Sequence, residues 1–230
     1  MADRPYTVLS CAMSLDGYLD DGSDARLLLS NAADLDRVDE VRAGSDAILV
    51  GAATVRNDDP RLLVRSPVRV LERRAAGLPE SPRKVTVTRR GRLDPCAAFF
   101  STGECSKLVY CPTGALDEAR RRLAAVATVV DGGRCVDMRG IGEDLHRRGV
   151  RRLLVEGGGS VLTQFLTADL ADELHVVVAP LFVGDPRAAR FVGDGRFPWR
   201  DGRRAALVET RPIGDVVLMR YALSPRFGDG

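Results

Sequence analysis

The chain has 230 residues, a formal net charge of +2 from 34 basic and 32 acidic residues, and a hydrophobic fraction of 45%. This length favours a single sizeable domain over residues 1–230. The near balance of charge argues against a nucleic-acid-binding protein that depends on electrostatic attraction. No segment approaches the roughly 18 consecutive apolar residues that a membrane span requires.

The cysteines and histidines argue against disulfide and metal chemistry. The five cysteines form no CxxC pair, their number is odd, and the N-terminal residues contain no signal-peptide core. The two histidines, His146 and His175, lie far apart in sequence and have no nearby ligand partners. We therefore expect a reduced, cytoplasmic protein without a bound metal ion, and we expect His175 to be a strand residue.

Predicted strands and helices alternate through the first two thirds of the chain. "YTVLSCAMS" is a predicted strand, and "AADLDRVDEVRAGS" is a predicted amphipathic helix that Asn31 caps. "DAILVG" is almost continuously apolar, which is typical of a strand buried on both faces of a parallel sheet. The strands "RKVTVT" and "KLVYC", the helix "ALDEARRRLAAVA", the strand "ATVVD" and the helix "GEDLHRRG" follow.

The C-terminal third continues the alternation and then changes pattern. The strand in "VRRLLVEGG" leads through glycines into the helix "SVLTQFLTA" and the strand "ELHVVVAPLFVG". "AALVETRPIGDVVLMRYAL" holds two strands around a Pro-Ile-Gly-Asp turn, which favours an antiparallel hairpin. The alternation predicts an α/β sandwich with a largely parallel sheet. We interpret "SPVRVLERRAAGLPESP" and "VGDGRFPWRDGRR" as variable loops.

Three glycines, Gly157, Gly158 and Gly159, separate a predicted strand from a predicted helix. A tight turn with positive φ would explain them. Phosphate binding would explain them equally well, since backbone N–H groups at a helix N-terminus bind anions and glycine permits a close approach. Glu156 ends the preceding buried strand and needs a partner there. It is either a structural carboxylate or a substrate contact.

Two other strand ends carry candidate residues. In "ILVGAATVRNDDPRLLVR", Thr54 lies in the first turn of a short helix and could offer its hydroxyl to a phosphate. Two helix N-termini at one sheet edge would suit a pyrophosphate. The GxGxxG fingerprint is missing, which disfavours a Rossmann dinucleotide fold. In "MSLDGYL", Asp16 and Gly17 predict a turn at the same edge.

The segments "AMSLDGYL", "VRAGSDAILVGAATVRNDDPRL" and "LLVEGGGSVLTQFLTADLADELHVVVAPLFVGD" resemble the pyrimidine reductase of riboflavin biosynthesis. The resemblance covers nearly the whole chain in the right order. It implies the dihydrofolate-reductase-like fold, a three-layer α/β sandwich whose mostly parallel central sheet ends in a C-terminal antiparallel hairpin. The HAE and PCxxC motifs of the deaminase domain that often precedes this reductase are missing. We therefore expect the free-standing form.

The resemblance implies that the cofactor is NADPH, with its diphosphate on the glycine turn and on the Thr54 turn. The matching positions are Thr54, Asp58, Gly157, Gly158, Gly159, Ser160, Val161, Leu162 and Gln164. Ala12 would line the nicotinamide. Arg89 and Arg90 stand where the family often has Asp-Ser near the 2′-phosphate. They either bind that phosphate or form a solvated basic turn.

The implied substrate is an aminopyrimidine with a ribosylamino 5′-phosphate, whose opened ribose accepts hydride at C1′. Its implied contacts are Arg26, Arg42, Leu62, Arg65 and Glu156. Catalysis would consist mostly of positioning. The proton would come from water, Ser10, Asp16 or Glu156. Ser10 stands where many bifunctional members have a lysine. The free-standing type tolerates a serine there, which favours the 2,5-diaminopyrimidinone over the deaminated uracil.

The resemblance also bears on self-association, and two other functions are possible. The resemblance implies a homodimer, formed through "ELHVVVAPLFVG" or the terminal hairpin. One alternative is a reductase of a pterin or another heterocycle in a specialised pathway. The other is a non-catalytic nucleotide-binding relative, against which the intact triple glycine, Thr54 and the arginines argue.

Overall fold

The computed structural model of the protein describes residues 4–23 and 27–228. Among these residues the strands are β1 (Tyr6–Ser14), β2 (Ala47–Gly51), β3 (Arg83–Val87), β4 (Lys107–Cys111), β5 (Thr128–Asp131), β6 (Arg152–Val155), β7 (Glu173–Ala179), β8 (Ala206–Ile213) and β9 (Val216–Ala222). The helices are α1 (Ala32–Ala43), α2 (Ala52–Asp58), α3 (Pro67–Ala75), α4 (Ala98–Ser101), α5 (Leu116–Leu123), α6 (Met138–Arg147) and α7 (Gly159–Thr167). The described residues include no helix that is long and apolar enough to cross a membrane.

The first of two compact units comprises residues 39–154 and the N-terminal residues up to Pro5. Its strand order is β5-β4-β3-β2-β6, and β2, β3, β4 and β5 pair in parallel. The apolar run of β2 is buried at every position, as expected of a strand that is covered on both faces. Lys84 on β3 is also fully buried, and its ammonium donates hydrogen bonds to the carbonyls of Phe99 (3.1 Å) and Thr102 (2.7 Å).

The second unit comprises residues 6–38 and the chain from Val155 onward. Its strand order is β1-β7-β9-β8, in which β1 and β7 are parallel while β9 pairs antiparallel with both neighbours. Val177, Val216 and Leu218 belong to its buried apolar cluster. The edge strand β8 is exposed or half-buried at every position except Ile213.

A group of buried charges joins β7, β9 and α1 within the second unit. His175 lies in β7, as predicted, and its Nε2 is 2.7 Å from Oε1 of Glu173. Arg220 also donates to Glu173, and Arg37 is 3.3 Å from Nδ1 of His175. Burial would raise the pKa of Glu173, but the bonds and charges of His175 and Arg220 lower it to about 2. Glu173 is therefore a charged, fully partnered group of the core.

The predicted class and most predicted elements agree with the structure. The α/β class, the parallel strands and the C-terminal hairpin are confirmed, and Asn31 caps α1 by accepting the N–H of Asp34 at 3.0 Å. The variable loop predicted over "SPVRVLERRAAGLPESP" is wrong, since α3 occupies it. Ser66 caps α3 and Pro67 opens it, a start signal that the sequence contains.

Candidate active site

The chain passes from β6 to α7 through the glycine turn, residues 157–159. Gly157 has φ 120° and Gly158 has φ 81°, both in the region that favours glycine. No side chain among the described residues caps α7 at Gly158. The first N–H groups of a helix have no acceptor within it, so this entrance presents donors suited to an anion.

The glycines of this turn meet different requirements. A Cβ at Gly157 would meet no atom within 4 Å, so open space borders that position. A Cβ at Gly159 would instead overlap the carbonyl oxygen of Arg190. Gly159 is thus explained by packing, whereas Gly157 leaves a free surface beside the helix entrance. Positive φ at Gly157 and Gly158 agrees with the tight-turn explanation, and phosphate binding at this turn stays a prediction.

Two loops of the second unit are joined by Asp16, which follows β1. Its carboxylate accepts the Ser14 hydroxyl at 2.6 Å and the N–H groups of Val183 (3.1 Å) and Gly184 (2.8 Å). The Ser14 bond, followed by the backbone bonds, lowers the pKa of Asp16. In all these bonds Asp16 is an acceptor. This geometry favours a positioning role for Asp16 over that of proton donor.

The loop that follows β7 also supports the glycine turn. The N–H of Phe191 donates to the carbonyl of Gly17 at 2.9 Å, and the N–H of Gly193 donates to the Thr163 hydroxyl on α7 at 2.9 Å. The guanidinium of Arg190 stacks on the Tyr18 ring, 4.9 Å from its centroid. This loop therefore fixes the end of β1 and the start of α7 in the second unit.

Strand β1 carries two further predicted residues, and two exposed residues that the sequence did not reveal follow β1 and β7. Ser10 is buried opposite His175, and Ala12 is half-buried opposite Val177. Leu15, which follows β1, is 53% exposed, and Phe182, which follows β7, is 74% exposed. Exposed apolar side chains after parallel strands suit a planar ring, but no sequence pattern distinguished these two from core residues.

In the first unit, two of the residues predicted to bind substrate, Leu62 and Arg65, lie on the loop of residues 59–66, and Arg42 of α1 contacts this loop. The Arg42 guanidinium donates to the carbonyl of Leu63 at 3.3 Å. Leu62 is buried with φ 49°, so it shapes the loop from within. The side chain of Arg65 is 53% exposed, and its Nε lies 3.5 Å from Oδ1 of Asp39. Arg26, also predicted to bind substrate, lies outside the described residues.

Asp39 of α1 holds this loop and was missed in the sequence. Its buried carboxylate accepts the N–H of Arg65 at 2.6 Å, the N–H of Ser66 at 3.0 Å and the guanidinium of Arg69 at 3.1 Å. Burial would raise the pKa of Asp39, but these donors lower it overall. The charged carboxylate therefore fixes the backbone of Arg65. An aspartate among the charges of a helix gives no signal of such a contact.

The remaining predicted cofactor residues of the first unit follow β2 and β3. Thr54 is half-buried in α2, and Asp58 is exposed at its end. Arg89 and Arg90 line an open pocket of about 1030 Å³, here called the basic pocket. Its lining also includes Arg92, Pro112, Thr113, Gly114, Ala115, Glu118, Arg121 and Arg134. Of the three arginines beyond the predicted pair, Arg92 is a near neighbour in sequence, whereas Arg121 on α5 and Arg134 after β5 come from later in the chain.

These features fit an anionic cofactor, and they define the class of the protein. Among the described residues, the second unit has an uncapped helix entrance beside open space, and the first unit has a pocket in which arginine is the most frequent lining residue. The fold is similar to that of dihydrofolate reductase from Enterococcus faecalis complexed with NADP(H), with a TM-score of 0.51 at 15% identity over 94% of this chain and 95% of that one. The protein is therefore an α/β protein with a dihydrofolate-reductase-like fold.

The family is more specific than the fold. The family model described as "RibD C-terminal domain" matches residues 5–219, so the chain belongs to this family. A pyrimidine reductase-like protein from Corynebacterium diphtheriae shares the fold with a TM-score of 0.80 at 23% identity, over 95% of this chain and 91% of that one.

Two relatives have the name 2,5-diamino-6-ribosylamino-4(3H)-pyrimidinone 5′-phosphate reductase. The protein from Archaeoglobus fulgidus is 41% identical over 182 residues, which are 79% of this chain and 83% of the relative. The protein from Methanothermobacter thermautotrophicus is 33% identical over 229 residues, which are 96% of this chain and 99% of the relative. The predicted family and the predicted reductase class are thereby confirmed.

Proposed function

We propose that the protein is an NADPH-dependent reductase of riboflavin biosynthesis that converts the ribosylamino group of a phosphorylated aminopyrimidine to a ribitylamino group. The observation that carries the proposal is the pair of relatives that bear the name of this reductase and that the chain matches over 83% and 99% of their length. Their name also favours the 2,5-diaminopyrimidinone over the deaminated uracil as the substrate. The donor-rich entrance of α7 supports the use of a phosphorylated cofactor.

Residues that the resemblance assigns to the cofactor are found in each unit. In the second unit, the glycine turn and the start of α7 offer N–H donors to a diphosphate. In the first unit, Thr54 would add its hydroxyl, while Arg89 and Arg90 would bind the 2′-phosphate through charge-assisted hydrogen bonds. The bound nicotinamide supplies the hydride. The protein supplies orientation and charge, for which Ala12 and the exposed Phe182 offer a small and a planar surface.

Arg65 is the proposed ligand of the substrate 5′-phosphate. Its side chain is largely exposed on a backbone that Asp39 fixes, and a guanidinium fork suits a phosphate monoester. Arg42 would act mainly through the loop, since it donates to the Leu63 carbonyl. Glu156, half-buried after β6, would contact the amino groups of the pyrimidine or the hydroxyls of the sugar.

The reduction also requires one proton. Asp16 accepts hydrogen bonds from three groups and is held in its charged form, so we assign it to positioning the loop after β7. Ser10, Glu156 and water remain as proton sources. Ser10 lies in the middle of β1 and is only 6% exposed, so it could donate a proton only to a substrate atom in direct contact with that strand.

The proposal includes a cytoplasmic homodimer. The edge strand β8 exposes Leu207 (58%) and Val208 (43%), and Val217 on β9 is 38% exposed. An exposed apolar edge strand is a surface that proteins normally cover. We propose that the same strand of a second copy covers it. Sedimentation of the purified protein would give twice the mass of the chain.

A spectrophotometric assay tests the activity. Purified protein is mixed with NADPH and the 2,5-diaminopyrimidinone 5′-phosphate, and the absorbance of the reduced nicotinamide is followed. We expect its loss with this substrate and a slower loss with the deaminated uracil. Turnover of a pterin alone would favour the alternative heterocycle reductase, and NADPH binding without any turnover would favour a non-catalytic relative.

A further inference from the structure

The basic pocket contains an arginine that neither the sequence nor the proposed function accounts for. Arg134 lies between β5 and α6 and lines the pocket together with Arg89 and Arg90. Five arginines line the pocket, whereas Glu118 is the one acidic residue in its lining. The surplus of positive charge defines the kind of ligand that the pocket would take.

The arginines of the pocket differ in whether their charge is compensated. Arg121 lies 2.5 Å from the Glu118 carboxylate, and Arg92 lies 3.9 Å from it. By contrast, Arg89, Arg90 and Arg134 form no hydrogen bond or ion pair with any residue that the structure describes. Three uncompensated guanidinium groups at one pocket repel one another and favour binding of a multiply charged anion.

Both turns that carry these arginines have a fixed backbone. Gly91 closes the first turn with φ 67° and donates its N–H to the Thr88 hydroxyl at 3.2 Å. In the second turn, the N–H of Gly132 donates to the carbonyl of Cys111 at 2.8 Å, and the N–H of Thr113 donates to the carbonyl of Gly133 at 2.9 Å. Little backbone ordering would then accompany ligand binding, which favours affinity.

We propose that Arg134 binds a phosphate monoester together with Arg89 and Arg90, and that this group is the 2′-phosphate of the nicotinamide cofactor. Arg134 would thus determine the preference for NADPH over NADH. The choice of cofactor rests on the proposed function. The 5′-phosphate of the substrate has the same chemistry, but Arg65 on a separate loop already serves it in the proposal.

Calorimetric titration distinguishes the two sources of phosphate. Wild type, Arg134→Gln and the control Arg139→Gln, an exposed arginine outside the pocket lining, are titrated with NADPH, NADH, adenosine 2′,5′-bisphosphate and ribose 5-phosphate. Loss of one charge-assisted contact should weaken NADPH and the bisphosphate about tenfold or more in Arg134→Gln. NADH affinity should stay unchanged, as should every affinity of the control.

Several results would overturn the inference. Unchanged NADPH affinity in Arg134→Gln, or an equal loss for NADPH and NADH, would remove Arg134 from phosphate recognition. A loss of affinity confined to ribose 5-phosphate would assign the basic pocket to the substrate phosphate instead of the cofactor phosphate. Circular dichroism of both variants establishes that they are folded. Failure of the proposed function has a different signature, because wild type would then bind the bisphosphate yet reduce no pyrimidine.

Discussion

Replacement of Asp39 by alanine tests whether the loop that carries Arg65 is held for substrate binding. Asp39 is 1% exposed, and its carboxylate accepts two backbone N–H groups of the loop and the Arg69 guanidinium. Asp39→Ala removes these three hydrogen bonds and the 3.5 Å ion pair with the Arg65 guanidinium at once. The backbone of Arg65 and Ser66 then has water as its only replacement acceptor, so the loop should become mobile.

The magnitude follows from the kind of bonds that are lost. A hydrogen bond to a charged group is worth about 1.5–3 kcal/mol. Because the loop lies near the surface, water can replace part of the lost hydrogen bonding. We therefore expect the free energy of unfolding to fall by about 2–4 kcal/mol. Urea denaturation measures it. Asp39→Asn keeps one acceptor oxygen and should lose less.

The kinetic effect should fall on the substrate and not on the cofactor. A mobile Arg65 must be ordered again when the 5′-phosphate binds, and about 1.4 kcal/mol of ordering cost corresponds to a tenfold rise in KM. We expect KM to rise about tenfold or more in Asp39→Ala, with kcat falling less and the Kd of NADPH unchanged. Steady-state kinetics and calorimetry supply these three values.

Asp46 provides a matched control in the same unit. Its Oδ2 accepts the N–H groups of Arg151 (2.8 Å) and Arg152 (2.9 Å), which begin β6. Asp46→Ala should lower stability through the loss of two backbone bonds while leaving KM near the wild-type value. An equal rise of KM in both variants, or no rise in Asp39→Ala, would refute a specific role for Asp39.

Three other predictions address packing, phosphate recognition and pH. Gly159→Ala forces a Cβ onto the Arg190 carbonyl and should cost about 1–3 kcal/mol of stability in urea denaturation. Arg65→Ala should lower kcat/KM by about 1.5–3 kcal/mol for the phosphorylated substrate and little for its dephosphorylated form, and an equal loss for both would exclude phosphate binding. Burial lowers the pKa of Lys84 to about 8, so the unfolded chain binds the extra proton between about pH 8 and 10.5. Stability of wild type relative to Lys84→Met should therefore rise with pH across that window, and a flat difference would contradict it.

The strands were the most predictable part of the fold. The runs "DAILVG" and "KLVYC" became β2 and β4 because continuous burial on two faces leaves a continuous apolar run in the sequence. Helix α3 was not predicted because charged residues dominate its sequence. Its apolar residues do not form a clear buried face, since Val68 and Leu71 are exposed in the structure.

The site residues differ in whether their neighbours in the sequence reveal their role. The glycine turn was predictable, as the strand, the glycines and the helix are consecutive in sequence. Asp39 acts on Arg65 and Ser66 through space, and Arg134 reaches the basic pocket from a different loop than Arg89. Such contacts depend on the register of strands and loops, which hydrophobic periodicity does not encode.

The separate requirements of Gly157 and Gly159 bear on how sequences of this family diverge. A descendant that no longer bound the cofactor would still need Gly159, because the Arg190 carbonyl occupies the space of a side chain there. Gly157 faces open space, so its backbone conformation with φ 120°, and not packing, requires glycine there. The third glycine would therefore be retained as long as the Arg190 loop keeps its place, whereas the first would be retained as long as the turn keeps its conformation.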